Sequence, residues 1–195
     1  MERLVQIDRQ VTLWINQVNP DWLNGCWHVL SLSKVWFPLY AIVMGLIIWR
    51  LGWKKGLLVV GSLFLGVFLT DQLSVLVKES VMRLRPCYDP WMTAHGVLCP
   101  DGVAGSQYGF FSSHASNVLG FAAGSWLGLR LNDGPRRGYR IYGWCIFLWA
   151  ALVSLSRVML AAHYMGDILV GALFGLAIGT GLALGVRRII VRARL

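Results

Sequence analysis

Long apolar stretches, each closed by basic residues, restrict this chain to few possible folds. Of its 195 residues, 56% are hydrophobic and 14% are charged, whereas soluble domains carry about 25% charged residues. A helix needs roughly 20 apolar residues to cross a bilayer. Five stretches approach that length: about 22 or 27 to 49 (cleanest over 35–49), 56–77, 114–129, 141–156 and 168–186. The sequence therefore predicts an all-α, integral-membrane helix bundle with about five transmembrane helices.

A further helix is predicted before the bundle. Residues 1–20 place apolar side chains such as Val11 and Trp14 at helical spacing, with charged side chains such as Asp8 and Arg9 between them. This pattern is typical of an amphipathic helix lying in the membrane interface. We expect residues 1–195 to form a single membrane domain whose motif-bearing core covers about 56–186.

The fourth stretch is too short to cross a bilayer by itself. It has 16 uncharged residues between Arg140 and Arg157, and a helix rises only 1.5 Å per residue. Either the bilayer is thinner there or one arginine lies below the membrane surface. We favour the second explanation, with Arg157 in a polar pocket.

The basic residues at the ends of the stretches predict the orientation of the chain. When the loops are assigned to alternate sides, seven basic residues fall on the side of the N-terminus and eleven on the side of the C-terminus. The eleven are Arg50, Lys54, Lys55, Arg130, Arg136, Arg137, Arg140, Arg187, Arg188, Arg192 and Arg194. Because cytoplasmic loops carry an excess of Lys and Arg, we expect a bacterial-type inner membrane protein with its N-terminus outside and its C-terminus cytoplasmic.

The net charge of +9 is explained by this membrane topology. In a soluble protein such a charge would suggest a nucleic-acid partner, but the sequence has no recognisable nucleic-acid-binding motif. We therefore expect no nucleic-acid partner. The oligomeric state is left open by the sequence.

The longest predicted loop, about 87–111, lies on the outer side. Pro90, Pro100 and several glycines argue against a regular helix there. Cys87 and Cys99 both belong to this loop and would face an oxidising compartment. The sequence is compatible with a disulfide between them and with two free thiols.

Ionisable residues collect at one end of the predicted helices. Lys78 and Arg85 are seven residues apart and share a helix face, and His163 and Asp167 are four apart and can touch. The full set is Lys78, Arg85, His114, Arg157, His163 and Asp167. A bundle would bring these residues into one outward-facing pocket at the membrane surface.

Such a set suits phosphoryl transfer. Lys and Arg side chains hold phosphate oxygens, and an imidazole oriented by a carboxylate can act as nucleophile or base. A second imidazole can protonate the leaving oxygen. Ser112 and Ser113 precede the third stretch, where the start of a helix favours anions.

Three motifs built on these residues resemble those of the type 2 phosphatidic acid phosphatase superfamily, membrane lipid phosphatases that share their site with vanadium haloperoxidases. The first motif, Lys, six residues, Arg-Pro, covers 78–86. The second, normally Pro-Ser-Gly-His, is Phe-Ser-Ser-His over 111–114, so Phe111 replaces Pro and Ser113 replaces Gly. The third, Ser-Arg, five residues, His, three residues, Asp, covers 156–167.

The resemblance implies a role for each matching residue. His163 would attack phosphorus and form a phosphohistidine, Asp167 would orient His163, and His114 would act as general acid and then as base. The residues implied to hold the phosphoryl oxygens are Lys78, Arg85, Arg157, Ser112 and Ser113. No cofactor or metal would be required, and the expected partners are a lipid phosphate and the membrane.

The substrate itself stays open at this point. Undecaprenyl diphosphate, lipid A phosphate, phosphatidylglycerol phosphate and phosphatidic acid all present a phosphate at the appropriate depth. Two other classes of function also remain: a metal-dependent hydrolase using His114, His163 and Asp167 as ligands, and a non-catalytic lipid-phosphate binder or transporter.

Other polar residues receive simpler interpretations. Arg83 is expected to be a solvated or headgroup-facing charge, and Asp71 a polar contact inside the bundle. Glycines in the fifth stretch are expected to permit close helix packing; they are Gly171, Gly175, Gly179, Gly181 and Gly185.

Overall fold

The computed structural model describes residues 2–100, 105–131, 133 and 137–194. Arg136, which was counted above for the orientation, lies outside the described residues. The α-helices found in these ranges are α1 Glu2–Gln17, α2 Asn24–Ser31, α3 Phe37–Leu51, α4 Trp53–Val81, α5 Pro90–Ala94, α6 Ser113–Leu129, α7 Arg137–Met159 and α8 Met165–Arg192. The all-α class is confirmed.

In the described part of the chain, four helical segments are long and apolar enough to cross a membrane: 33–51, 53–81, 137–159 and 165–192. The third predicted stretch forms α6, which has 17 residues and contacts α4, α7 and α8. Its many Ala, Gly and Ser side chains let these neighbours enclose it. The membrane bundle is therefore confirmed, with four helices that meet the length for crossing and a shorter helix among them.

The first crossing segment begins later than either predicted start at 22 or 27. Leu32 has extended backbone angles (φ −77°, ψ 110°) and separates α2 from the helical segment that begins at Ser33. The fourth segment is longer than predicted, since α7 has 23 residues and includes Arg137 and Arg140. At its other end Arg157 is 8% exposed, in agreement with the predicted pocket.

The close approach of α6 and α8 depends on three glycines. A methyl group on Gly171, Gly175 or Gly179 would lie only 2.2–2.5 Å from a backbone carbonyl oxygen of the segment formed by Ser112 and α6. Gly181 and Gly185, in contrast, face open space. The close packing places the start of α6 beside the start of α8, where the Ser112 amide donates to the Asp167 carbonyl oxygen at 3.1 Å.

Helix α1 lies across the same end of the bundle, with its polar side toward the protein. The Thr12 hydroxyl accepts a hydrogen bond from the Met165 amide at 2.9 Å, and the Asn16 amide donates to the Leu98 and Met159 carbonyl oxygens. Apolar side chains such as Ile7 and Trp14 are exposed. The predicted amphipathic helix is thus present, and its polar side binds the bundle.

The loop after α4 is fixed at both ends. Cys87 and Cys99 form a disulfide, which decides between the two alternatives that the sequence left open. On either side of this disulfide, the Arg85 amide and the Gln107 carbonyl oxygen form a hydrogen bond of 3.0 Å that joins the two ends of the loop. The loop therefore folds back over the end of the bundle.

Candidate active site

The six ionisable residues predicted to form a pocket lie at one end of the bundle. They belong to the end of α4, the loop that follows it, the start of α6, the end of α7, the turn between α7 and α8, and the start of α8. Gly109 marks the place where several of them meet: a methyl group there would lie 2.8 Å from Arg85 Cγ and 3.5 Å from both Asp167 Oδ2 and His163 Nδ1. His114 lies close enough to His163, Arg157 and Lys78 to interact with each electrostatically.

His163 and Asp167 form a fully enclosed pair. His163 Nδ1 is 3.5 Å from Asp167 Oδ2, longer than a normal hydrogen bond, and the same oxygen accepts from the Tyr164 amide at 3.0 Å. Burial lowers the pKa of His163 to about 4, against the opposite effect of the Asp167 carboxylate. The imidazole is therefore neutral at neutral pH, and because Nδ1 faces the carboxylate, Nε2 is the nitrogen available for chemistry.

Three cations adjoin this pair without a carboxylate of their own. The Arg85 guanidinium donates to the Tyr108 carbonyl oxygen at 3.1 Å and the Ser106 hydroxyl at 3.2 Å, and Lys78 Nζ to the Ser113 hydroxyl at 3.4 Å. Arg157 Nε is buried and has no hydrogen-bond partner among the residues that the structure describes. Within the described ranges none of the three forms an ion pair with a carboxylate. Burial lowers the pKa of Arg85, and an anion would offset this cost.

The start of α6 contributes the second imidazole. Ser112 is fully buried and its hydroxyl accepts from the Ala115 amide at 3.4 Å, which caps the helix. His114 Nε2 lies 3.4 Å from the Ser33 hydroxyl, a neighbour that the sequence analysis did not identify. Phe111, where the family motif has Pro, is buried and stacks on Phe174 with ring centroids 4.9 Å apart. The substituted position is thus filled by core packing.

The expectation for Arg83 was wrong. Its guanidinium donates to Asp167 Oδ1 and to Asp8 Oδ2, each at 2.7 Å, and lies 3.9 Å from the centre of the Tyr164 ring. Although burial opposes it, the carboxylates of Asp167 and Asp8 raise the pKa of Arg83. Arg83 therefore belongs to the site, where it links α1 to the carboxylate that faces His163.

An apolar groove leads from this site into the bundle between α3, α4 and α6. It has a volume of about 550 Å³ and passes from Ser113 and His114 toward Leu63 and Phe121. Asp71 and Asn117 also line it. The groove gives an apolar chain direct access to the ionisable cluster.

The geometry disfavours the metal-centre alternative. Among the described residues, no three His, Cys, Asp or Glu side chains are placed so that they could hold one metal ion. His114, His163 and Asp167 consequently do not form the centre that this alternative requires, and the cations around them would repel a dication.

Comparison with known proteins identifies the class. The sequence model of the PAP2 superfamily matches residues 55–190 of this chain. The chain is 28% identical over 180 residues to lipid A 4'-phosphatase of Porphyromonas gingivalis, covering 92% of this chain and 72% of the relative. It is 30% identical to the enzyme of the same name from Bacteroides thetaiotaomicron (90% and 75% covered) and to phosphatidylglycerophosphatase B of Bacillus subtilis (84% and 71%).

Solved structures share the fold. The PAP2-type phosphatidylglycerolphosphate phosphatase of Bacillus subtilis superposes with a TM-score of 0.74 over 97% of this chain and 89% of that one, at 22% identity. LpxE of Aquifex aeolicus gives a TM-score of 0.62 over 90% and 93%, at 20% identity. The chain belongs to the PAP2 superfamily. The predicted class, a multi-pass membrane lipid phosphatase of the PAP2 type, is confirmed.

Proposed function

We propose that this protein hydrolyses the phosphomonoester or diphosphate of a lipid headgroup through a phosphohistidine on His163. One observation carries the proposal: three cations that have no carboxylate partner among the described residues adjoin a neutral imidazole whose Nδ1 faces Asp167. A phosphate group would supply the missing negative charge, and its phosphorus would then lie next to the nucleophile.

The reaction proceeds in two steps. Burial and the neighbouring cations lower the pKa of His114 to about 3, so His114 takes up a proton when the negatively charged phosphate binds beside it. His163 Nε2 then attacks phosphorus while the bond from phosphorus to the leaving oxygen breaks, and the protonated His114 gives that oxygen a proton. His114, now neutral, takes a proton from water as the water attacks the phosphohistidine. The N–P bond breaks, inorganic phosphate leaves, and both imidazoles return to their starting states.

The cations stabilise the charge that develops on the phosphoryl oxygens. Arg85 and Arg157 offer guanidinium groups and Lys78 an ammonium group, while the Ser112 hydroxyl and the Ser113 amide at the start of α6 add further donors. Together with His163, His114 and Asp167, these are the residues that the sequence predicts for the site. The meeting of Arg85, His163 and Asp167 at Gly109 supports these roles.

We further propose that the site faces outward. Helices α3, α4, α6, α7 and α8 alternate in direction, so α8 leaves the site end and the C-terminus lies at the opposite end. The excess of basic residues at that opposite end favours a cytoplasmic position for it. A fluorescent protein fused to the C-terminus should fluoresce if this orientation is correct, and an outward C-terminus would leave the fusion dark.

Phosphate release from a panel of lipids tests the function. The purified protein is assayed with undecaprenyl diphosphate, a lipid A phosphate, phosphatidylglycerol phosphate and phosphatidic acid, with His163→Ala as the blank. We expect release from at least one lipid and none from the variant. Release that is equal in the His163→Ala protein would contradict the proposed nucleophile.

A further inference from the structure

A carboxylate lines the apolar groove below the site. Asp71 is the only acidic residue among the described residues that line the groove. Asn117 Nδ2 donates to Asp71 Oδ1 at 2.9 Å, and the Thr70 hydroxyl donates to Asn117 Oδ1. Within the described part of the chain, Asp71 Oδ2 has no hydrogen-bond donor. One oxygen of the carboxylate is thus fixed and the other is available to a ligand in the groove.

A purely structural contact between α4 and α6 would not need this charge. An ionised carboxylate at membrane depth is costly, and a neutral amide at position 71 could bond Asn117 equally well. The remaining acceptor on Asp71 therefore needs a donor. No described side chain supplies one, and because Asp71 is partly exposed in the groove, a lipid that enters the groove can supply it.

The helix register fixes how far this acceptor lies from the phosphate. Asn117 is three residues after His114 in α6, and Asp71 is seven residues before Lys78 in α4. At the rise of an α-helix these separations correspond to roughly 5 Å and 10 Å along the two axes. The pair consequently lies beside the part of a lipid that is a few bonds from the scissile phosphate.

We propose that Asp71, held by Asn117, is a specificity-determining residue that accepts a hydrogen bond from a hydroxyl or amide N–H next to the substrate's phosphate. The inference rests on the proposed lipid phosphatase function and narrows its substrate class. Among the four candidates, a lipid A phosphate and phosphatidylglycerol phosphate carry such donors near the phosphate. Phosphatidic acid and undecaprenyl diphosphate do not.

Asp71 also interacts electrostatically with Lys78, and this second effect makes a different prediction. A change in the field at Lys78 acts on the phosphate, which all substrates share, and alters their rates by the same factor. A hydrogen bond to the lipid changes the ratio between substrates. The ratio of the rates on two substrates therefore distinguishes a hydrogen bond to the lipid from an effect on Lys78.

The test measures kcat/KM for ceramide 1-phosphate, which has a hydroxyl and an amide near its phosphate, and for phosphatidic acid with matched chains, which has neither. We expect the wild-type protein to prefer ceramide 1-phosphate by about 10- to 100-fold, the usual range for a hydrogen bond to a charged group. Asp71→Leu should bring the ratio close to one, and Asp71→Asn should give an intermediate ratio. Met44→Leu, an apolar change in the groove wall, should leave it unchanged.

The other outcomes contradict either the role of Asp71 or the proposed phosphatase function. Equal wild-type rates on the two lipids would overturn the inference while leaving the phosphatase function intact. Equal losses on both lipids in the Asp71 variants would show that Asp71 acts through the charge of Lys78 or through folding. That result would also overturn the inference. If Asp71→Leu does not fold, the isosteric Asp71→Asn carries the test. No phosphate release from any lipid by the wild-type protein would instead contradict the proposed function.

Discussion

The pocket has two layers whose cations differ in their partners. In the outer layer, which consists of Arg9 of α1 and Arg83 of the loop after α4, Arg9 pairs with Asp89 at 2.8 Å, and Arg83 pairs with Asp8 and Asp167. The inner layer contains Lys78, Arg85 and Arg157. Within the described residues, no carboxylate lies within ion-pair distance of any of these three.

The difference separates cations that hold the fold from cations that await a ligand. A cation already paired with a carboxylate gains little from a phosphate, whereas a buried and unpaired one recovers part of its desolvation cost when an anion binds. The inner layer is therefore the phosphate site, and the outer layer fixes α1 and Asp167. Sequence patterns alone do not distinguish the layers, because both contain arginines at the same end of the bundle.

Removing an inner cation should have the largest effect. We expect Arg157→Gln to lower kcat/KM by about 100- to 1,000-fold, since it removes a charged donor from the transition state. The matched control is Arg9→Gln in the outer layer, where loss of a partly exposed pair should change kcat/KM by less than about threefold. Similar losses in the two variants, at equal yield of folded protein, would abolish the distinction between layers.

Filling the space where the layers meet should have the next largest effect. A methyl group on Gly109 would lie 2.8 Å from Arg85 Cγ, so Arg85 must shift in the Gly109→Ala variant. We expect kcat/KM to fall about 10- to 100-fold, as displacement of a catalytic group can cost this much. Gly25→Ala, where the added methyl group meets open space, serves as the control. Full activity in the Gly109→Ala protein would show that phosphate binds elsewhere.

Breaking the hydrogen bond from Arg83 to Asp167 should have a smaller effect on activity, and this effect should fall on kcat rather than on KM. Arg83→Gln should lower kcat by about tenfold or somewhat more, with KM little changed. Loss of a residue that orients a metal ligand through a hydrogen bond has an effect of this size. Arg83→Lys should restore part of the activity. Asn16→Ala loosens α1 without touching Asp167 and should leave kcat unchanged. A rise in KM with constant kcat in Arg83→Gln would place Arg83 on the substrate instead.

Chelation should have no effect. Because the three cations of the inner layer repel a dication, we expect phosphate release to continue in EDTA at the rate measured without it. The measurement uses the purified protein and one lipid phosphate. A loss of activity that added Mg²⁺ or Zn²⁺ restores would contradict the proposed chemistry.

The sequence predicts those features that depend on local pattern. Hydropathy gives the membrane bundle, and residue spacing gives both the His163–Asp167 pair and the end of the bundle where the cations collect. In each case the determining residues are close in sequence or lie at the ends of apolar stretches. The burial of Arg157 also follows, because a stretch of 16 uncharged residues is too short to cross a membrane.

The features that the sequence did not predict are contacts between distant residues. Arg83 lies 75 residues from Asp8 and 84 from Asp167, and no helical spacing rule connects such positions. The enclosure of α6 depends on glycines of α8 that meet α6 carbonyl oxygens only after packing. The available oxygen of Asp71 likewise becomes visible only when Asn117 is placed beside it.

Trapping the covalent intermediate tests the central claim most directly. The protein is mixed with a lipid carrying a ³²P-labelled phosphate, quenched in alkali, which phosphohistidine survives, and digested for peptide mapping. We predict label on the peptide that contains His163, lability of that label in acid, and no label in His163→Ala. Label on His114 or on a serine, or steady turnover without any labelled peptide, would contradict the account.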